Sequence, residues 1–144
     1  MLFRSLMKEK GVVLVPCLAA NEAIVRQAGR RGPVVERLNT ARVAVQRALA
    51  IGVTIGCGSD AGVFRHGDNA RELELLVECG MTPADALLTA TKVAADVLGA
   101  QDLGTIRAGA SCGLVVLAGD PFADVANLRR VRAVIREDDE TARR

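Results

Sequence analysis

Aromatic side chains are nearly absent from this 144-residue sequence, which has no Trp, no Tyr and three Phe. It therefore offers little surface on which nucleic-acid bases could stack. The net charge of +2 is too small to indicate a nucleic-acid partner by itself. No apolar run approaches the roughly 20 residues of a membrane-spanning helix. In the first residues, MLFRSLMKEKG, the charges lie too close to the few apolar residues for the apolar region of a secretory signal. We therefore expect neither a nucleic-acid nor a membrane partner.

Histidine and paired cysteines are also scarce. His66 is the only histidine, whereas most zinc sites need three or four ligands from His, Cys and carboxylate side chains. The four cysteines, at positions 17, 57, 79 and 112, form no CxxC pair, and three of them lie in apolar stretches. This usage predicts reduced, buried thiols and a cytoplasmic location. Hydrophobic residues make up 50% of the chain and charged residues 25%, a globular balance.

The hydrophobic pattern of the first half predicts a βαβ unit. Residues 12–15 and 53–57 are short apolar runs bounded by glycine or proline, typical of parallel strands buried on both faces. Residues 21–33 are polar and predict a connection. Apolar residues then recur at helical spacing over 34–51, and Gly52 marks the end of that helix. The crossover between the two strands should be right-handed.

The second half predicts two helices and two further strands. The first helix covers about 69–79, and its acidic residues Glu72, Glu74 and Glu78 indicate an ordinary solvated face. Thr82 begins the second helix, with Pro83 after it, and Gly99 ends it. The runs 114–117 and 131–135 predict strands, separated by a helical turn over 124–129.

Asp60 is the most informative polar residue, because it stands just after the second predicted strand. In parallel α/β sheets, sites form in the loops that follow the strands. A carboxylate there can bind a divalent cation or take a proton from a water on that cation. Position alone leaves a second interpretation open, in which Asp60 caps the next segment through a backbone hydrogen bond.

Other candidate groups carry less information. His66 lies in the same loop and is either a solvated side chain or a hydrogen-bond donor to a substrate. The run 56–62 is rich in glycine but lacks the lysine of a phosphate-binding loop and an immediately following helix. The arginines near the chain end favour surface charge over a binding patch: Arg129, Arg130, Arg132 and Arg136.

Three stretches together resemble the metal-dependent amidohydrolase superfamily, in particular its imidazolonepropionase-like and Xaa-Pro dipeptidase-like members. The specific stretch is the middle one, in which a strand ending in GSDAG, an HGDN loop and a helix reading GMTPADALLTAT occur in that order. The flanking stretches are GVVLVPCL and LGTIRAGASCGLVVLAGDPFADVANLRRVRAVI. The resemblance runs over about 11–135.

The resemblance implies an α/β fold built from a TIM-type (β/α)8 barrel with a small β-sandwich. A complete barrel needs about 200 residues or more, so the barrel would be incomplete here. We expect residues 1–103 to form its C-terminal βα units and 104–136 to form sandwich strands. Residues 137–144 would be a charged tail.

The resemblance also implies hydrolysis of carbon–nitrogen bonds in a small-molecule amide or dipeptide by hydroxide activated on a divalent metal, with Zn²⁺ expected. Asp60 matches the family aspartate that follows the eighth strand, binds metal and takes a proton during attack. His66 lies in the loop that borders the substrate pocket in similar enzymes, which implies substrate binding.

The sequence departs from the family pattern in three places, one of which is the closing K-x-G turn, which reads REDD over 136–139. The H-x-H pair, the bridging Lys or Glu and the other His ligands have no counterpart and would lie before Met1. The family's PGKxADLVVL reads AGASCGLVVL. A second hypothesis therefore stands beside the hydrolase: a non-catalytic remnant whose open strand edges drive homo-oligomerisation or association with another chain.

Overall fold

The computed structural model of the chain describes residues 2–111 and 113–136. These residues form an α/β structure with six α-helices, one 3₁₀ helix and a two-stranded sheet. Cys112 and the predicted tail 137–144 lie outside the described residues. The elements in chain order are α1 (Leu2–Glu9), α2 (Leu18–Gln27), α3 (Pro33–Ile51), α4 (Ala70–Glu78), α5 (Pro83–Ala90), α6 (Lys92–Leu98), β1 (Gly113–Leu117), the 3₁₀ helix (Val125–Arg129) and β2 (Val131–Arg136).

The first two predicted strands run parallel, joined by one bridge between Leu14 and Ile55. The Leu14 N–H donates to the carbonyl of Thr54 over 2.9 Å, and the Gly56 N–H donates to the carbonyl of Leu14 over 2.9 Å. The predicted parallel pairing is therefore confirmed, although it extends over a single bridge. The chain passes from one segment to the other through α2 and α3.

The prediction that residues 12–15 are buried on both faces is wrong. Val12 is 47% exposed and Val15 is 46% exposed. Within the described residues this segment pairs on one side only, with the segment that contains Ile55. A strand of a parallel sheet is covered on both faces only where neighbouring strands and helices are present.

Helix α3 confirms the helix predicted over 34–51. Pro33 opens it, at a position where the missing N–H of proline breaks no hydrogen bond. Gly52 ends it in the left-handed conformation with φ 71°, and the Val53 N–H donates back to the Ala48 carbonyl over 3.0 Å. This is the usual glycine termination of a helix.

Helix α2 contradicts part of the predicted connection over 21–33, because the helix continues to Gln27. Its buried side is mostly alanine, which gives a weak periodic signal in the sequence. The residue before it, Cys17, has φ 48° and makes no side-chain cap. The common serine, threonine or aspartate start signal is therefore missing from this helix.

Helix α4 confirms the predicted helix but corrects its face. The prediction of a solvated acidic face is wrong for Glu72, which is 0% exposed. Glu72 shares the spacing i, i+3, i+4 and i+7 with Leu75, Leu76 and Cys79, all of them buried. Residues at this spacing lie on one side of a helix, so the carboxylate enters the core with them.

The predicted helix from Thr82 to Gly99 is confirmed at both ends and interrupted in the middle. The Thr82 hydroxyl accepts the Asp85 N–H over 3.1 Å, and Gly99 has φ 71°. The interruption lies at Thr91, with φ −120° and ψ −94°. The carbonyl of Thr89 accepts a hydrogen bond from the Cys57 N–H over 3.1 Å instead of continuing the helix.

The two strands predicted over 114–117 and 131–135 are confirmed as β1 and β2, and they pair antiparallel, with Val115 opposite Val134. The predicted helical turn between them is the 3₁₀ helix, and the Asp124 carboxylate caps it by accepting the Ala126 N–H over 2.9 Å. Both valines of the central pair are exposed, at 56% and 50%. The sheet therefore leaves much of its apolar surface uncovered by the described residues.

The core lies between α2, α3, α4 and α5, around Leu18, Val45, Leu75 and Leu76, all 0% exposed.

Three described cysteines are free thiols: Cys79 is buried, and Cys17 and Cys57 are partly buried. Among the described helices, none is long and apolar enough to cross a bilayer.

Candidate active site

Asp60 lies at the carboxyl end of the second parallel segment, as the sequence predicts. Its backbone is left-handed, with φ 54°, and its carbonyl accepts the Val63 N–H over 3.4 Å, which turns the chain back. The side chain is exposed. Within the described residues no hydrogen bond or ion pair reaches its carboxylate, so the structure gives no backbone cap of the kind left open by the sequence.

The loop that carries Asp60 is fastened to the rest of the chain at several points. The Gln27 side chain of α2 donates to the Val63 carbonyl over 3.0 Å. The Asn69 amide donates to the Ser59 hydroxyl over 3.2 Å, closing the loop across its base. These bonds hold the Asp60 turn between α2 and the start of α4.

Arg129 anchors the far end of this loop. Its guanidinium pairs with Asp68 and, over 2.5 Å, with Glu74 of α4. Arg129 is exposed, as expected of a surface charge, and its ion pairs also hold the 3₁₀ helix to the loop. Its role depends on residues about 60 positions earlier, which a local charge pattern cannot reveal.

His66 is exposed in a turn of the same loop. In the part of the chain that the structure describes, no hydrogen bond or ion pair joins His66 to Asp60 or to another residue. The structure therefore places both predicted site residues in one loop without bringing their side chains into contact.

A buried carboxylate lies at the start of α2, directly after Cys17. Glu72 accepts the Leu18 N–H over 3.0 Å and the Ala19 N–H over 2.6 Å, one amide on each oxygen. Burial raises the pKa of Glu72, and the two backbone hydrogen bonds oppose that rise. Sequence analysis missed this residue, although its spacing with Leu75 and Leu76 was a usable signal.

Two thiols share this neighbourhood. Burial raises the pKa of Cys17, and the negative charges of Glu72 and Asp60 raise it further. Burial, followed by the charges of Glu72 and Cys17, raises the pKa of Cys57 to about 12. Both thiols are therefore protonated at neutral pH, and a nucleophilic thiolate is not favoured at this site.

Gly58 lets the two segment ends approach closely. A Cβ on Gly58 would lie 2.5 Å from Val15 Cγ1 and 3.6 Å from Cys17 Sγ. The first distance is far below a normal contact between carbon atoms. Close packing against Val15 therefore explains why the GSDAG run has a glycine two residues before Asp60.

Comparison with known proteins identifies the family. The model of the amidohydrolase family matches residues 2–139. The chain belongs to the amidohydrolase family. This confirms the resemblance that its motifs indicated. No curated protein matches the sequence significantly.

Three solved structures similar to this amidohydrolase chain are each about three times its length. A Xaa-Pro dipeptidase with bound methionine is 31% identical, with a TM-score of 0.82 over 92% of this chain and 35% of that chain. A. niger ochratoxinase is 29% identical, with a TM-score of 0.78 over 92% and 32%. A prolidase complexed with N-methylphosphonate-L-proline is 28% identical, with a TM-score of 0.78 over 92% and 35%. The amidohydrolase chain thus spans about a third of the length of these proteins.

The described residues of the amidohydrolase chain do not complete a metal site. Among them, no group of three or more His, Cys, Asp or Glu side chains is placed to hold a metal ion. Both oxygens of Glu72 already accept backbone amides, and the nearby thiols are protonated. Asp60 can offer one carboxylate ligand, which by itself does not fit the three or four ligands of a typical zinc centre.

Proposed function

We propose that this chain supplies the C-terminal βα units of a (β/α)8-barrel hydrolase that cleaves carbon–nitrogen bonds in small amides or dipeptides. Residues 1–103 are assigned to the barrel and 104–136 to the small sandwich. The observation that carries the proposal is the exposed, unengaged carboxylate of Asp60 at the carboxyl end of a parallel segment. Catalytic groups of barrel enzymes lie at that end of the strands.

In this proposal Asp60 is the catalytic base. Its carboxylate accepts a proton from the attacking water and returns it to the leaving nitrogen, so the residue ends the cycle unchanged. His66, exposed in the same loop, donates a hydrogen bond to the substrate. A divalent cation, with Zn²⁺ as the expected ion, would need ligands beyond the described residues. A cytoplasmic location stays a prediction.

The test compares two variants, Asp60→Asn and Asp96→Asn, each made in the whole protein that the gene encodes. Asp96 is a matched control, because its carboxylate is exposed on α6 and pairs only with Lys92 in the described structure. Hydrolysis of Xaa-Pro dipeptides and N-acyl amino acids is measured together with the zinc content. We expect Asp60→Asn to lose about 10²–10⁴-fold in kcat/KM, the usual contribution of a general base, and Asp96→Asn to keep the wild-type rate.

An Asp60→Asn protein that hydrolyses these substrates as fast as the wild type would overturn the proposal. A wild-type protein with neither hydrolysis nor bound zinc would overturn it as well, and would favour the second candidate function.

The second candidate is a non-catalytic chain that joins another barrel segment through its open strand edge. Within the described residues the first parallel segment pairs on one side only, which leaves an open edge, and the exposed Val12 and Val15 add uncovered apolar surface; both promote association. Light scattering coupled to size exclusion measures the assembly directly. An inactive monomer at all concentrations would contradict both candidates.

A further inference from the structure

Helix α2 has its N-terminal cap on a different helix. The first amides of a helix have no intrahelical partner and are normally satisfied by the residue that precedes them. Here that residue, Cys17, is left-handed and provides no cap. The Glu72 carboxylate of α4 takes its place and accepts the N–H groups of Leu18 and Ala19 over 3.0 and 2.6 Å.

The two hydrogen bonds from Leu18 and Ala19 to Glu72, called the tether below, hold α2 strongly to α4. Each oxygen of the buried carboxyl group accepts one backbone amide, and the group faces the positive, N-terminal end of the α2 dipole. Leu18 and Glu72 are both 0% exposed, so water cannot replace either bond. Burying a carboxylate costs free energy unless such hydrogen-bond partners are present. Separating α2 from α4 would leave the buried Glu72 without these partners, so the two helices are held together at this point.

The tether leads to Asp60 through a short series of contacts. Glu72 fixes the amides of residues 18 and 19, which directly follow Cys17. The Cys17 Sγ lies 3.6 Å from the position of a Cβ on Gly58, and Val15 packs against the same glycine. Gly58 is two residues before Asp60, whose left-handed backbone needs support from its surroundings.

We propose that Glu72 is a positioning residue for Asp60: by capping α2 it holds residues 15–18 against Gly58 and thereby fixes the turn that presents the Asp60 carboxylate. The inference rests on the proposed function for its catalytic consequence. Glu72 does not act on substrate itself, because it is fully buried and both of its oxygens are engaged.

The test uses Glu72→Gln with Glu78→Gln as the matched control. Glutamine has the same shape, but its NH₂ group faces one of the two amides as a second donor, so one bond is lost. Glu78 lies on the same helix and is 43% exposed. A second variant, Glu72→Asp, keeps the carboxyl group on a side chain one methylene shorter, and serves if Glu72→Gln does not fold.

Amide hydrogen exchange is the first measurement, since it needs no activity. In Glu72→Gln we expect exchange at Leu18 and Ala19 to rise about tenfold, as for the loss of one buried hydrogen bond. Exchange at Val63, whose N–H closes the Asp60 turn, should also rise, by about threefold. Glu72→Asp should give smaller increases at the same amides, and Glu78→Gln none.

The kinetic measurement separates positioning from stability. We expect kcat of Glu72→Gln to fall about tenfold or more while KM stays within about threefold, because a misdirected base slows the chemical step without removing a substrate contact. Glu78→Gln should leave both constants unchanged.

Unchanged exchange at Leu18 and Ala19 would show that the tether is absent, and unchanged exchange at Val63 would show that it does not reach the Asp60 turn. Either result overturns the inference. Raised exchange at all three amides with an unchanged kcat overturns it too. If the wild-type protein hydrolyses nothing, the proposed function fails, while exchange at Val63 still decides whether Glu72 holds the turn.

Discussion

Arg71 should contribute more to stability than any exposed arginine of the chain. Its guanidinium forms a bidentate pair with Glu22 of α2, at 2.8 Å from Nε and 2.7 Å from Nη2. The remaining nitrogen donates to Glu74 over 3.0 Å and to Glu78 over 2.8 Å. Replacing Arg71 with methionine keeps the length of the stem and removes the one cation among the described residues that contacts all three carboxylates. In the described structure, the three carboxylates then keep only the pairs with Arg26, Arg42 and Arg129.

The size of the effect follows from how enclosed each pair is. The side chains of Arg71 and Glu22 are 23% and 19% exposed, so their pair lies between a surface and a buried ion pair. The Glu78 carboxylate is 43% exposed and contributes little because solvent screens it. We expect Arg71→Met to lower the free energy of unfolding by about 1.5–3 kcal/mol, the range for hydrogen bonds to charged groups, and the melting temperature by about 5–10 °C.

The effect depends on pH in a defined direction. The hydrogen bond from Arg71 lowers the pKa of Glu22 against the opposing effect of burial, and the charges of Arg71, Arg26 and Arg42 lower it further. A carboxylate with a lowered folded-state pKa stabilises the fold fully above its unfolded pKa of about 4.3 and loses that contribution as the pH falls through the folded value. The gap between wild type and Arg71→Met should therefore be constant near pH 7 and close as the pH falls below about 4.

Urea unfolding followed by far-ultraviolet circular dichroism measures this gap, since the chain has no Trp or Tyr to report by fluorescence. Arg47→Met is the control, because Arg47 is an exposed residue of α3 without an ion pair among the described residues. The control should change the free energy of unfolding by less than about 0.5 kcal/mol. An Arg71→Met protein as stable as this control, or a gap of equal size at pH 3 and pH 7, would refute the reasoning.

The elements that sequence analysis predicted correctly have their start and stop signals in local sequence. Helix α3 begins at Pro33, repeats its apolar residues at helical spacing and ends at Gly52. The position of Asp60 at the end of the second parallel segment is predicted from local sequence as well, because a buried apolar run ends there in a glycine-rich turn. Such signals need no knowledge of the rest of the chain.

The elements that it missed depend on partners far away in sequence. Helix α2 is capped by Glu72, 54 residues later than Leu18, so no start signal precedes it. The long helix after Thr82 breaks where the Thr89 carbonyl accepts the Cys57 N–H. A carboxylate within a predicted helix is expected to be exposed to solvent unless its buried hydrogen-bond partners are known. For this reason Glu72 was assigned to the solvated face of the helix.

Two further predictions concern the thiols and the loop beside α6. The pKa of Cys57 is about 12, so iodoacetamide at pH 8 should alkylate this thiol about 10³-fold more slowly than free cysteine, and only a rise in pH should speed the reaction. Peptide mass spectrometry measures the rate, and a rate within tenfold of that of free cysteine would contradict this prediction. Gly104→Ala should lower the free energy of unfolding by about 1–3 kcal/mol beyond its backbone cost, because the added Cβ would lie 2.6 Å from the Thr91 carbonyl oxygen and 2.9 Å from Ala95 Cβ. Gly29→Ala isolates that backbone cost, since Gly29 has a similar φ of +65° with nothing within 4 Å of its Cβ position. Urea unfolding of the two variants gives the difference, and equal losses of stability would mean that the loop relaxes away from Thr91 rather than clashing with it.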